Sequence, residues 1–293
     1  MKNGKNGKKQ DAAGRSYYQV SWDILRKNRL AMFCLCVILA LVFVAVFAPW
    51  LTPYEPNVNA AREKLQAPSA AHPMGTDRYG RDIMTRIFYG CRISLSVGII
   101  SQIIASLLGY FIGVCAGYFG GKTDSVLSFL IQVFSSFPFL LFAIAVMFIL
   151  GRGLVNLYIA LGLLGWTSTA RLIRGEVLRI KNSEYIQACI VGGGSSFRVI
   201  MKHLLPNCVP ILIITITLGI PNAILSEASL SYLGLGVSPP TASWGAMISE
   251  AQSFIRGYTY YSLFPGLAII ITVLSFNLLG DGLRDALDPK LRR

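Results

Sequence analysis

The 293-residue sequence predicts an all-α, polytopic membrane protein with six transmembrane helices and both termini cytoplasmic. Apolar residues make up 54% of the chain and charged residues 14%, against roughly 45–50% and about 25% in soluble globular domains. Mean hydropathy is +0.56. The apolar residues are gathered into long charge-free blocks, as required where each spanning helix must satisfy its own backbone groups. An ordinary soluble enzyme is excluded.

The elements follow in order. Tyr17, Val20, Ile24 and Leu25 recur at helical spacing ahead of Arg26, Lys27 and Arg29, which predicts a short helix on the inner leaflet after a disordered basic tail over residues 1–14. The first charge-free block starts only at Leu30 and is too long for a cleaved signal, so it should remain as an anchor. Blocks 30–54, 93–121, 125–151, 153–170, 203–226 and 257–280 are free of Lys, Arg, Asp and Glu. One such charge at a helix centre costs about 2.5–3.5 kcal/mol on insertion scales, and about 20 apolar residues cross a hydrocarbon core. These six blocks are the expected spans. A seventh, 228–249, carries paired prolines and repeated Gly and Ser, and reads as an external loop or re-entrant segment. The organisation is therefore a tail and interfacial helix at 1–29, a first helix at 30–51, an extracytoplasmic loop at 52–92, a five-helix core at 93–280 with a cytoplasmic loop near 171–206, and a cytoplasmic tail at 281–293.

Orientation follows from the 27 basic residues, which outnumber the 14 acidic ones. Segments 1–29, 122–124, 171–205 and 281–293 hold 19 of the 27, which turns them inward. Loop 52–92 runs against that rule with six basic and four acidic residues, but the eight basic residues ahead of the first helix dominate. The net charge of +13 thus reports topology and contact with anionic lipid, not nucleic acid.

Within the second block Ser101, Ala105, Gly109, Gly113 and Gly117 repeat every four residues, so one face can take a helix in close contact. Pro138, Pro221 and Pro265 are expected to interrupt three spans. Cys34, Cys36, Cys91, Cys115, Cys189 and Cys208 lack metal or redox spacing and read as small apolar side chains. The run AGYFGGKT at 116–123 imitates a phosphate-binding loop but joins two membrane helices instead of a strand and a helix. His72 and His203 fall on opposite sides of the membrane, and no catalytic constellation is found. Glu227, at the outer end of a span, is a candidate pathway group that Ser226 or Ser229 could instead hydrogen-bond. Gln132, Ser135, Ser136, Thr215, Thr217 and Asn222 are further pathway candidates, with helix packing as the alternative.

The most informative segment is the cytoplasmic loop. Ser183 is placed to cap a short helix with Glu184 in its first turn and Ile186, Cys189 and Ile190 on one face. Gly192, Gly193 and Gly194 break it, and a second helix begins near Ser195 or Ser196 with Phe197, Ile200, Met201, Leu204 and Leu205 on its apolar side before Pro206. Burying a large apolar side chain is worth about 1.5–3 kcal/mol, so this elbow needs a surface, either the protein's own helix ends or a groove in a partner.

Gln187, Ala188, Cys189 and Gly193, followed by His203, Leu204, Leu205 and Pro206, resemble the EAA loop of type I ATP-binding-cassette importer permeases, with Gln187 in place of Glu and Cys189 in place of the second Ala. GTDRYGRDIMTR at 75–86, ARLIRGEVL at 170–178, EASLSYLGLGVSPPTASWG at 227–245 and the C-terminal GDGLRDALDPKLRR look like the peptide and nickel branch of that family, shorter C-type subunit, over nearly the whole chain. The resemblance implies a non-catalytic subunit of a bacterial cytoplasmic-membrane importer that pairs with a second homologous permease to enclose a path for di- or oligopeptides. Two ATPase subunits, which bind ATP and Mg, would grip Glu184, Tyr185, Gln187, Ala188, Cys189, Gly193, His203, Leu205 and Pro206. An extracellular or periplasmic substrate-binding protein would deliver cargo, and this chain would hold no cofactor or metal. Nickel or a metal chelate is the alternative cargo. A channel or carrier independent of ATPases would need intramembrane charges, which the spans lack apart from Glu227.

Overall fold

The computed structural model describes residues 17–287, and their regular structure is helical apart from one isolated antiparallel bridge between Thr76 and Asp82. The expected tail over 1–14 and the end of the C-terminal segment, 288–293, lie outside the described residues. Helix α1 (Tyr17–Lys27) meets α2 (Arg29–Leu51) at Asn28, whose side chain accepts from the Ala31 N–H at 3.1 Å and so starts α2. Helix α3 (Ile83–Phe119) begins well before block 93–121, because Asp82 accepts from the Thr85 N–H at 2.7 Å and caps it. Arg86 and Arg92 therefore belong to a helix and not to loop 52–92.

Block 125–151 becomes two helices, α4 (Gly121–Ser136) and α5 (Phe139–Leu150), bent by 90°. Pro138 stands at the N-cap of α5, where its missing N–H leaves no helix bond unmade. Pro221 and Pro265, by contrast, lie inside unbroken helices, which corrects the expectation that they interrupt them. Pro265 is in the second turn of its helix, and Pro221 is buried among neighbouring helices that hold it in place. Helix α6 (Leu154–Lys181) is followed by α7 (Glu184–Val191), α8 (Ser196–Val199), a wide turn at Ile200–Leu204, α9 (Leu205–Tyr232), α10 (Trp244–Ala251) and α11 (Tyr260–Leu287). The last of these runs past residue 280 into the expected tail.

Among the described residues four helices are long and apolar enough to cross a membrane: α2, α3, the continuous Ser196–Tyr232 and α11. The bent pair makes a fifth if its halves count as one span. Helix α6 is not among them, since Arg171, Arg174, Glu176, Arg179 and Lys181 fill its second half. Both halves of α6, through Thr169 to Val177, pack on the small-residue face of α3. A Cβ added to Gly109 would stand 2.6 Å from Thr169 Cβ, one at Gly113 2.6 Å from the Ala170 carbonyl oxygen, and one at Gly117 2.9 Å from Val177 Cβ. The helices touch there through backbone, as the four-residue spacing predicts. Helix α1 lies against α11, with Leu25 buried and the Tyr17 hydroxyl donating to the Leu287 carbonyl at 2.7 Å.

Candidate functional site

At one end of the bundle α6, α7, α8 and the start of α9 form a bracket. Ser183 occupies the N-cap of α7 with extended backbone, yet its hydroxyl donates to the Ile180 carbonyl at 2.6 Å instead of capping α7, a correction to the sequence reading. The elbow is a Schellman closure: Gly193 N–H donates to Ile190 O at 3.1 Å and Gly194 N–H to Cys189 O at 3.0 Å, with Gly193 at φ +81°. That φ is the left-handed region where glycine carries no Cβ penalty. A Cβ on Gly194 would meet the Cys189 carbonyl oxygen at 2.7 Å, so the chain doubles back closely over α7.

Ser195 then caps α8 by accepting from the Arg198 N–H at 3.3 Å. The second helix does not stop at Pro206. Leu205 N–H reaches back to Ile200 O, an i to i−5 bond, and this wider turn carries the chain into α9 with Pro206 in its first turn. The shift of register reassigns the apolar face. Ile186, Val199 and Leu204 are buried against Tyr110, Val114, Ile173, Val177 and Ile180, while Phe197 and Met201, which the helical spacing grouped with Leu204 on one apolar face, point outward. Tyr185 and Val191 are exposed as well.

The remaining bracket residues tie it together. Gln187 donates to Lys181 O at 2.9 Å, Lys181 Nζ to Tyr118 O at 2.6 Å, and Asn207 to His203 O at 2.7 Å and Tyr185 Oη at 3.3 Å. Cys189 Sγ lies 3.8 Å from His203 Nε2. Glu184, Ala188 and Pro206 are exposed, and Leu205 is half-buried. The bracket is thus anchored on its own helix ends by one face, while Tyr185, Val191, Phe197 and Met201 stay exposed among the described residues.

A cavity of about 930 Å³ lies among α3, α5, α6 and α9, with Arg284 of α11 also in its wall. Thr215 and Asn222 line it, as do Gln102, Ser226 and Ser229, which the sequence reading did not select as lining groups. Gln102 and Gln132 are the two glutamines in the charge-free blocks, and that was the available signal. The Gln102 amide donates to Thr215 O at 3.4 Å and fills the space where Gly219 has no side chain. Thr215, Thr217 and Asn222 also bond carbonyls of their own helix. Ser135 lines a neighbouring cavity of about 260 Å³ and accepts from Arg171 at 3.0 Å. Ser136 donates to Val133 O, and Gln132 is exposed and outside both linings.

Glu227 is not at the cavity. It is fully buried and accepts from Ser231 and Ser243 hydroxyls, each at 2.7 Å. Ser226 and Ser229, the partners expected from sequence, donate instead to Asn222 O and Leu225 O. Ser243 also caps α10 through the Ala246 N–H at 3.1 Å, so Glu227 fixes the start of that short helix.

The far end of α3 holds a buried ionic knot that sequence reasoning missed, although Asp77 and Arg81 stand four apart in a segment quoted above. Arg81 bonds Asp77 at 2.5 Å and Glu250 at 2.6 Å, and Arg86 lies 3.6 Å from Asp77 and 3.5 Å from Glu250. Tyr261 donates to Glu250 at 3.1 Å. His72 is 2.9 Å from Asp82 and 3.5 Å from Glu63. Loop 52–82, α3, α10 and α11 are thereby fastened at one point. Among the described residues no cluster of His, Cys, Asp and Glu could hold a metal ion.

Residues 109–293, which include the bracket and most of the cavity wall, match the family described as binding-protein-dependent transport system inner membrane component. The chain belongs to that family. Residues 16–68 match the N-terminal TM domain of oligopeptide transport permease C. This permease is 45% identical over 279 residues to the dipeptide transport system permease protein DppC of Bacillus subtilis, covering 95% of this chain and 87% of that one. It is 41% identical to the oligopeptide transport system permease protein OppC of the same organism over 92% and 88% of the two chains. It is 38% identical to the glutathione transport system permease protein GsiD of Pectobacterium atrosepticum over 97% and 94%. The permease is accordingly the C-type membrane subunit of an ATP-binding-cassette importer, multi-pass in the cytoplasmic membrane, and its role is that of a transporter subunit.

Proposed function

We propose that the permease forms half of an ATP-driven path for di- or oligopeptides, with a second homologous permease as the other half. The observation that carries this is the two-faced bracket: one face is anchored by Ile186, Val199 and Leu204, and the other offers Tyr185, Val191, Phe197 and Met201 to a companion. Two ATPase subunits grip that outer face, hold the ATP and Mg, and move it when they close on nucleotide. A rigid elbow passes the motion to α6 and α9, whose side chains line the cavity, and the equilibrium between inward-open and outward-open states shifts by the difference in ATP affinity between them. A substrate-binding protein delivers the peptide on the other side.

The names of the relatives favour peptide cargo over nickel or a metal chelate. Six spans are reached when the bent α4–α5 pair and the uncharged half of α6 each count as a crossing, which returns both termini to the cytoplasm. Proteoliposomes holding both permeases and both ATPases provide the test. Uptake of a labelled dipeptide should require ATP and the loaded binding protein, and uptake that persists after the ATPases are stripped would refute the reading in favour of a carrier.

A further inference from the structure

Loop 52–82 holds four basic residues that the positive-inside rule does not explain, equal in number to its four acidic ones, and together with Arg86 at the start of α3 the structure divides them into two groups. Arg81 and Arg86 are buried and matched by Asp77 and Glu250. Arg62, Lys64 and Arg78 are exposed. Backbone bonds bring these three together: Ala60 N–H donates to Tyr79 O at 3.1 Å, Leu65 N–H to Asp77 O at 3.0 Å and Thr76 N–H to Gln66 O at 3.0 Å, so 60–66 lies beside 76–79. Glu63 sits among them, drawn toward His72.

At the tip stands Tyr79, 37% exposed, with the guanidinium carbons of Arg78 and Arg81 at 4.6 and 4.5 Å from its ring centre. The tip is rigid. Asp77, fully buried, accepts from the N–H groups of Tyr79 at 2.7 Å and Arg81 at 3.0 Å, and Gly80, at φ +79°, is pressed so closely on Ala60 that a Cβ would lie 1.9 Å from its carbonyl oxygen.

We infer that this tip, Tyr79 between Arg78 and Arg81 and flanked by Arg62 and Lys64, is the anchor by which an acidic patch of the substrate-binding protein docks. The inference rests on the importer reading, which puts loop 52–82 on the side where that protein arrives. Tyr and Arg held in one conformation lose little side-chain entropy on association and dominate interface energies. A lipid surface is the poorer match, because the exposed neighbours of Tyr79 are cations instead of the apolar side chains that sink an interfacial tyrosine. Cations at the rim also set the association rate and its salt dependence.

The experiment uses the complete transporter in phosphatidylcholine nanodiscs, with ATPase activity titrated by peptide-loaded binding protein. Arg78→Glu and Tyr79→Ala should each raise the half-saturating concentration at least about tenfold while the maximal stimulated rate and the basal rate stay unchanged. Tyr79→Phe, which keeps the stacked ring, should remain near the unmodified protein. Added salt should weaken the unmodified complex more than the Arg78→Glu complex. Half-saturation unchanged in both variants would overturn the inference, as would effects confined to discs containing phosphatidylglycerol, which would assign the tip to lipid. Failure of the binding protein to stimulate even the unmodified transporter would strike the importer reading itself, and is distinguished because it needs no variant.

Discussion

Gly113 shows how one missing side chain fixes a helix pair. A valine there would meet the Ala170 carbonyl oxygen and Ile173 Cβ within 2.9 Å, so α3 and α6 must part. Gly113→Val should cost on the order of 1–3 kcal/mol in a thermal melt of the detergent-solubilised protein, whereas Gly175→Ala, whose Cβ would meet nothing within 4 Å, should be neutral or slightly stabilising. Charge pairs divide in the same way. Glu250→Gln leaves Arg81 and Arg86 short of a buried counter-charge and should cost about 3–5 kcal/mol. Glu176→Gln, which releases the 71%-exposed Arg179, should cost at most about 1 kcal/mol. At this scale the four-residue strip from Ser101 to Gly117 was legible because helical spacing is local. Of the partners of Glu227, Ser231 stands one helical turn on and was within reach of the same spacing, whereas Ser243 lies 16 residues away and only the return of the chain brings it there.

Among the elements, the bracket was legible in outline and not in register. A glycine elbow between two short apolar helices follows from the residues themselves. Which face is covered depends on Pro206, which reads equally as the end of one helix or the first turn of the next, and the wide turn at Ile200–Leu204 decides for the second. Gly193→Pro would force φ near −65° on a residue held at +81° and delete the N–H bonded to Ile190 O. The variant should still insert, while ATP hydrolysis continues without peptide uptake; normal uptake would show that the elbow transmits nothing. Gly193→Ala, strained by about 1–2 kcal/mol in the left-handed region, should fall between. The break at Pro138 was likewise legible as a break, but its 90° bend was not, because the angle is set by what α4 and α5 pack against.

For the whole molecule, composition and charge-free blocks decided the class, and the knot that joins loop 52–82 to α10 and α11 escaped them because ion pairs such as Arg81 with Glu250, 169 residues apart, have no sequence period. The topology proposed here places Ser69 outside and Val191 inside. A cysteine at the exposed Ser69 should react with an impermeant maleimide on intact cells, and one at the exposed Val191 only after lysis; the reverse pattern would invert the orientation. The greatest weight rests on the bracket's outer face. A cysteine in place of Ala188, which is exposed on α7, paired with single cysteines across the permease-facing surface of the ATPase subunit and oxidised in native membranes, should trap a permease–ATPase dimer whose yield changes when ATP is added. No trapped product at any pairing, with or without ATP, would contradict the coupling of this bracket to a motor.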